Sequence, residues 1–378
     1  MKYIAKRIKI SLLLGFSAMM VLSSCNKNVD TVTGPAPVVQ GTTPTLATLL
    51  DDPTFSIFKA AVVKAGLLPT LSATSLRFTM FIPNDAAMTA SGLSLPVINF
   101  LPVASVTALV SYHILPQAIG SGNIPNSFPN FQYPTIYNPA PALSALLRLC
   151  TFPSNRNGYW LNNIPITQLD IPAVNGVAHR IALVTAPPSR YLIDRLNSDP
   201  DLTILRAALS RADSGVVPTS PSSLVGALSN IGANLTVFAP SNQAFKNIIS
   251  ALTGGALPNN APDANFIAFL GSSSINTQTV KGIVVYHILG SRAFLNNFPT
   301  TATSYPTLLN GGVPTHPGVS LKCTFTGITN VSSAIVKGVV NATASNIAIN
   351  PTPDPNGTSD QHFLNGTLHK IDQVLLPQ

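Results

Sequence analysis

Two tyrosine–histidine dipeptides, Tyr112-His113 and Tyr286-His287, are the residues best suited to chemistry. An imidazole beside a phenol can move a proton, but a working site also needs an acid or nucleophile nearby, here twice over. The sequence offers little for that purpose. All 13 acidic residues are aspartates, so a glycosidase would need two aspartates, and nothing singles out such a pair. The six histidines are dispersed, without a His-x-x-x-His or Cys-x-x-Cys pair to hold zinc. No Gly-x-Ser-x-Gly, Gly-x-Gly-x-x-Gly or phosphate-loop sequence occurs. The expectation is a chain that is not an enzyme, with no catalytic residue, metal or cofactor. Tyr112, His113, Tyr286 and His287 are then either fold-defining or an interaction motif.

Cys150-Thr151-Phe152 and Cys323-Thr324-Phe325 read as a recurring block. Two cysteines in an exported chain suggest a disulfide. Equivalent positions in separate domains seldom come within the ~7 Å between Cα atoms that a bridge needs, so two buried thiols are expected instead. Tyr159-Trp160 contains the only tryptophan and could stack on a sugar ring or belong to a core.

The elements that position these residues come in pairs. Asp52-Pro53-Thr54-Phe55 matches Asp199-Pro200-Asp201-Leu202, and Phe78-Thr79-Met80-Phe81-Ile82-Pro83-Asn84 matches Leu235-Thr236-Val237-Phe238-Ala239-Pro240-Ser241. Val110 to Leu115 matches Val284 to Leu289, and Val174 to Ile181 matches Leu364 to Ile371. Four blocks in one order make two copies of one domain. Asp52 and Asp199 read as N-caps before a proline at the first helical position. Phe55, Phe58, Val62 and Ala65 recur at helical spacing up to Gly66. Arg77 to Ile82 reads as a strand, with Asn84 capping the next helix. Asn175-Gly176 and Asn365-Gly366 read as two-residue hairpin turns. The second copy carries extra residues, assigned to a surface loop over Thr253 to Ser274.

The N-terminus reads as an export signal. Lys2, Lys6, Arg7 and Lys9 precede a short apolar run from Ile10 to Val21, well under the ~20 residues of a membrane span. Leu22-Ser23-Ser24-Cys25 resembles the lipobox of bacterial lipoproteins, which makes Cys25 the lipidated first residue of the mature chain. The expected divisions are a signal peptide over 1–24, a flexible tether over 25–43, and domains over 44–188 and 189–378, the boundary falling at Pro187-Pro188. Within the tether, Asp30-Thr31-Val32 resembles a bacterial O-glycosylation motif. Without the leader cations, 17 basic residues face 13 aspartates. The basic residues are scattered, which argues against a nucleic-acid partner. Only 9% of the chain is charged.

Together the repeated blocks resemble the fasciclin (FAS1) family. The marks are a Thr-Val-Phe-Ala-Pro-Ser-Asn segment (Thr236 to Asn242), the Tyr286-His287 dipeptide and a closing Asn365 to Asp372 hairpin. The first copy departs at Met80 and Ile82, and has Ala182 where Asp372 stands. The resemblance implies an α+β chain of two tandem domains, each a β-sandwich or wedge flanked by helices. It also implies adhesion or ligand binding outside the cytoplasm, with a protein or glycan ligand. With the lipobox, this places the chain in the cell envelope, as an outer-membrane lipoprotein of a diderm bacterium held through Cys25. A second reading is an accessory ligand-binding lipoprotein of an outer-membrane nutrient-uptake system.

Overall fold

A six-residue apolar strand buried along its whole length begins each domain's sheet, Phe78–Pro83 in the first copy and Leu235–Pro240 in the second. Continuous burial of this kind suits a strand covered on both faces. The computed structural model describes residues 44–378 apart from 219, 221, 328 and 353–355. The signal peptide, Cys25 and the tether lie outside these residues. No helix among the described residues is long and apolar enough to cross a membrane.

In both copies the first strand pairs in parallel with the closing strand, Gly176–Ile181 or Gly366–Ile371, in the same register: Phe78 faces Gly176 and Leu235 faces Gly366. A two-residue strand after the Tyr-His dipeptide adds antiparallel on the other side. Alternate residues of the first strand serve two cores. Phe78, Met80 and Ile82 enter the helical layer with Phe58, Val62 and Val110. Phe81 faces the opposite layer, built from Leu115, Ile119, Leu161 and Ile181. The second copy repeats this, with Val237 on the helical side and Phe238 on the other.

The capping residues act as the sequence suggests. Asp52 accepts from Thr54 N at 2.9 Å, Asp199 from Asp201 N at 2.9 Å, and Asn84 from Ala87 N at 2.8 Å. Three expectations change. First, the Thr253 to Ser274 stretch is not simply a loop. It contains the helix Asp263–Gly271, which sends Phe266 and Leu270, one turn apart, into the core.

Second, the Asn-Gly pairs are not the turns themselves. Ala173 pairs with Gly176 and Phe363 with Gly366, so the two-residue loops are Val174-Asn175 and Leu364-Asn365. The glycines are required by the neighbouring strand: a Cβ on Gly176 would sit 1.9 Å from Phe78 O, and one on Gly366 2.4 Å from Leu235 O. The asparagines are anchors. Asn175 accepts from Leu46 N at 2.8 Å and donates to Leu71 O at 2.7 Å, and Asn365 accepts from Leu192 N at 3.0 Å.

Third, Cys150 and Cys323 do not occupy equivalent positions. Tyr133 faces Thr151 across its strand pair, and Tyr305 faces Val319. The two Tyr-Pro-Thr segments therefore align Cys150 with Gly318, and Cys323 lies five residues further along.

Candidate functional site

Each Tyr-His dipeptide sits where a helix ends. Tyr112 closes the helix Val103–Tyr112 and Tyr286 the helix Thr277–Tyr286, and the histidine is the C-cap in both. All four residues are buried. His113 donates from Nδ1 to Leu109 O at 2.8 Å, and its Nε2 accepts from Thr185 N at 3.3 Å. His287 does the same with Ile283 O at 2.7 Å and Leu375 N at 2.8 Å. Each ring thus ties the last helical turn to the chain that follows the closing strand. Burial lowers both imidazoles to about 4, against a smaller opposing effect of the bonded carbonyl. They are neutral, with both nitrogens occupied, and have no capacity left for a metal or a proton relay.

The tyrosines are held in the same way. Tyr286 Oη donates to Gly318 O at 2.6 Å and accepts from Val339 N at 3.1 Å. Tyr112 Oη donates to Cys150 O at 3.1 Å, and Asn162 Nδ2 donates to it at 3.4 Å. Burial raises both phenols above their ordinary range.

A second histidine recurs in the closing strands. His179 donates from Nε2 to Ile119 O at 2.8 Å and accepts at Nδ1 from Asp170 N at 3.2 Å. His369 repeats this with Ala293 O at 3.0 Å and Asp360 N at 3.1 Å. Asp170 and Asp360 both have positive φ, 55° and 48°. Neither aspartate stands out in the sequence, because the residues around them differ. Their environments differ too. Asp170 accepts from Ser121 N at 2.8 Å and from the Ser121 hydroxyl. Asp360 accepts from Leu295 N at 2.9 Å, and burial raises it to about 7.

The two copies meet in a seam of aromatic rings and amides that sequence reasoning missed. Asn157 Nδ2 of the first copy donates to Asn296 O and Phe298 O at 2.9 and 3.0 Å, and Asn296 Nδ2 donates back to Asn162 O at 3.1 Å. Phe128 packs edge-on to Phe298 and Tyr305, and Phe152 meets Phe294. Arg292, only 4% exposed, donates to Asn234 Oδ1, His362 Nε2, Phe363 O and Leu364 O. Burial lowers it to about 10, and no carboxylate pairs with it among the described residues.

Trp160 is buried, with Nε1 donating to Asn157 O at 3.1 Å, and Tyr159 is half-buried. Both cysteines are unbridged; Cys323 is buried, but Cys150 is half-exposed. No three metal-ligating side chains come together among the described residues.

The fasciclin domain family matches twice, over residues 53–187 and 217–377. The transforming growth factor-beta-induced protein ig-h3 of Sus scrofa is 28% identical over 194 residues, an alignment covering 47% of this chain and 26% of that protein. Among solved structures, a FAS1 domain pair from the insect cell adhesion molecule Fasciclin I is 16% identical, with a TM-score of 0.35. That match covers 86% of this chain and 98% of the pair.

Proposed function

Because the chain belongs to the fasciclin domain family, associated with adhesion-type extracellular proteins, we propose that it is a non-catalytic binding protein of the cell envelope. In this reading it is held at the outer membrane by lipid on Cys25 and recognises a protein or glycan ligand. The lipobox-like Leu22-Ser23-Ser24-Cys25 and the basic leader before it support the anchoring.

The observation that carries the binding role is the saturation of the reactive residues. His113, His287, His179 and His369 spend both ring nitrogens on the chain's own backbone, and Tyr112 and Tyr286 are committed to backbone carbonyls. Trp160 is buried, so it is not a platform for a sugar ring. Partners are left the outer surface of a double domain. The test is an array of immobilised glycans and envelope proteins probed with the full chain in mild detergent. Reproducible, saturable binding to a defined ligand supports the reading. Turnover of a ligand, or no binding to any, overturns it.

A further inference from the structure

The helix Ser56–Lys64 of the first copy and Thr203–Ala212 of the second each line an open groove, and the two grooves fall at the same place in the repeat. The first runs beside the helix Leu95–Phe100 and encloses about 620 Å³. The second runs beside Asp263–Gly271 and encloses about 570 Å³. Equivalent residues line them: a hydroxyl at Ser56 or Thr203, an outer cation at Lys59 or Arg206, and an inner cation at Lys64 or Arg211. In a chain this poor in charge, a repeated pair of cations in a repeated groove is a specific feature.

The inner cation is fixed alike in both copies. Lys64 Nζ donates to Ile98 O, Asn99 O and Leu101 O at 2.9, 2.7 and 2.6 Å. Arg211 Nη2 donates to Ser272 O and Ile275 O at 3.2 and 3.4 Å. These carbonyls lie at and just beyond the end of the neighbouring helix, where a cation is also favoured by the helix dipole. The outer cations differ. Lys59 is paired with Asp51 at 2.7 Å. Arg206 is exposed and donates only to Asn197 O, at 3.1 Å, among the described residues. Asp263 does not itself line the second groove: its carboxylate is paired with Lys246 at 2.6 Å and accepts from the Thr203 hydroxyl at 3.3 Å.

The second groove therefore offers two guanidinium groups, the hydroxyl of Ser210, and an apolar floor of Ala207 and Ile267 beside Gly271, while the Thr203 hydroxyl is held between Asp263 and Asn242. No Cβ at Gly271 narrows the space above it. Guanidinium groups bind carboxylate with directed hydrogen bonds. Hydroxyls match ring hydroxyls, and small apolar residues match a sugar face. We propose that the Arg206–Arg211 groove binds the carboxylate of an acidic oligosaccharide, a uronic-acid polymer, with the Lys59–Lys64 groove as a weaker twin. The proposal deepens the binding role stated above and rests on it.

The test titrates the full chain in mild detergent with a galacturonate tetramer and with the same tetramer fully methyl-esterified. The acid form binds, more weakly as salt is raised, and the ester does not. Arg206→Gln, at an exposed position, lowers the affinity about three- to tenfold, the scale of one charged contact, with the melting temperature unchanged. No binding of the acid form, equal binding of the ester, or an unchanged affinity in Arg206→Gln overturns the groove assignment. A ligand found on the array whose binding ignores Arg206→Gln leaves the binding role standing and removes the groove from it.

Discussion

Arg292 lays its guanidinium over the ring of Phe152, 4.7 Å from the ring centre, and the two residues belong to different copies of the repeat. A buried arginine without a carboxylate is stable only when its donors are spread over neutral acceptors and its face over an aromatic ring. Both conditions are met across one seam. Phe152 also meets Phe294 and His362, so the stacking locks the first copy onto the segment of the second that follows its Tyr-His dipeptide.

Arg292→Ala is therefore expected to lower the stability of the whole chain by about 2–4 kcal/mol, the sum of several charged hydrogen bonds and one stacked cation less relaxation. Denaturant unfolding of the parent should give one transition for both domains. The variant should give an earlier transition, or two. Two separate transitions in the parent itself would show that the seam does not couple the copies.

Gly176→Ala should destabilise the first domain by about 3 kcal/mol, the upper end of overpacking penalties, because its Cβ would meet the Phe78 carbonyl. Gly122→Ala is the control: a Cβ there has nothing within 4 Å, and the melting temperature should barely move. Equal effects of the two would mean that the parallel strand pair is not tightly packed at Gly176.

Tyr286→Phe leaves the Gly318 carbonyl and the Val339 amide without their partner, at a cost of about 1–3 kcal/mol. Tyr112→Phe should cost less. Its bonds are longer, at 3.1 and 3.4 Å, and one comes from an Asn162 amide that also reaches Thr185. Thermal melts of the two variants rank them; a larger loss for Tyr112→Phe contradicts the hydrogen-bond reading.

Cys25→Ser tests the anchor. If the lipobox reading is right, one residue carries the acyl chains and its loss releases the protein from the membrane fraction. Fractionation of cells expressing parent and variant decides it, and a variant that stays with washed membranes refutes lipidation at Cys25.

The sequence shows the elements more readily than the contacts between them. Asp52, Asn84 and the strand Phe78–Pro83 were legible because caps and buried strands leave local signatures. The role of Gly176 was not, because the atom that forbids a side chain there belongs to Phe78, nearly a hundred residues earlier. Asp170 and Asp360 share a backbone conformation and a histidine partner, yet their neighbours differ and no motif marks them. The two cysteines misled in the opposite sense: an identical Cys-Thr-Phe suggested equivalence, while the strand pairing set by Tyr133 and Tyr305 puts them five residues apart. Asp372, absent from the first copy, binds Ser345 Oγ and Asn346 N at 2.8 Å each, and so secures the strand Ser345–Asn346; the counterpart in the first copy, Ile164-Pro165, pairs with Trp160 and Leu161 without such a carboxylate, since Ala182 stands there.

The histidines and Asp360 make opposite predictions about pH, and the signs can be separated. His113, His287 and His369 are lowered to about 4 by burial, against an ordinary 6.5. Between pH 6.5 and 4 the unfolded chain binds protons that the folded chain refuses, so stability falls as the pH falls through that window. Asp360 is raised to about 7 from 3.8. Between pH 3.8 and 7 the folded chain holds a proton that the unfolded chain releases, so this group alone makes stability fall as the pH rises. Three imidazoles outweigh one carboxyl, and the parent should unfold at progressively lower denaturant as the pH drops from 6.5 to 4. Asp360→Asn removes the opposing contribution and can still accept from Leu295 N. It should unfold with the parent near pH 4 and at higher denaturant than the parent at pH 8. Denaturation midpoints at four or five pH values test both signs, and a gap between variant and parent that does not widen with pH refutes the account of Asp360.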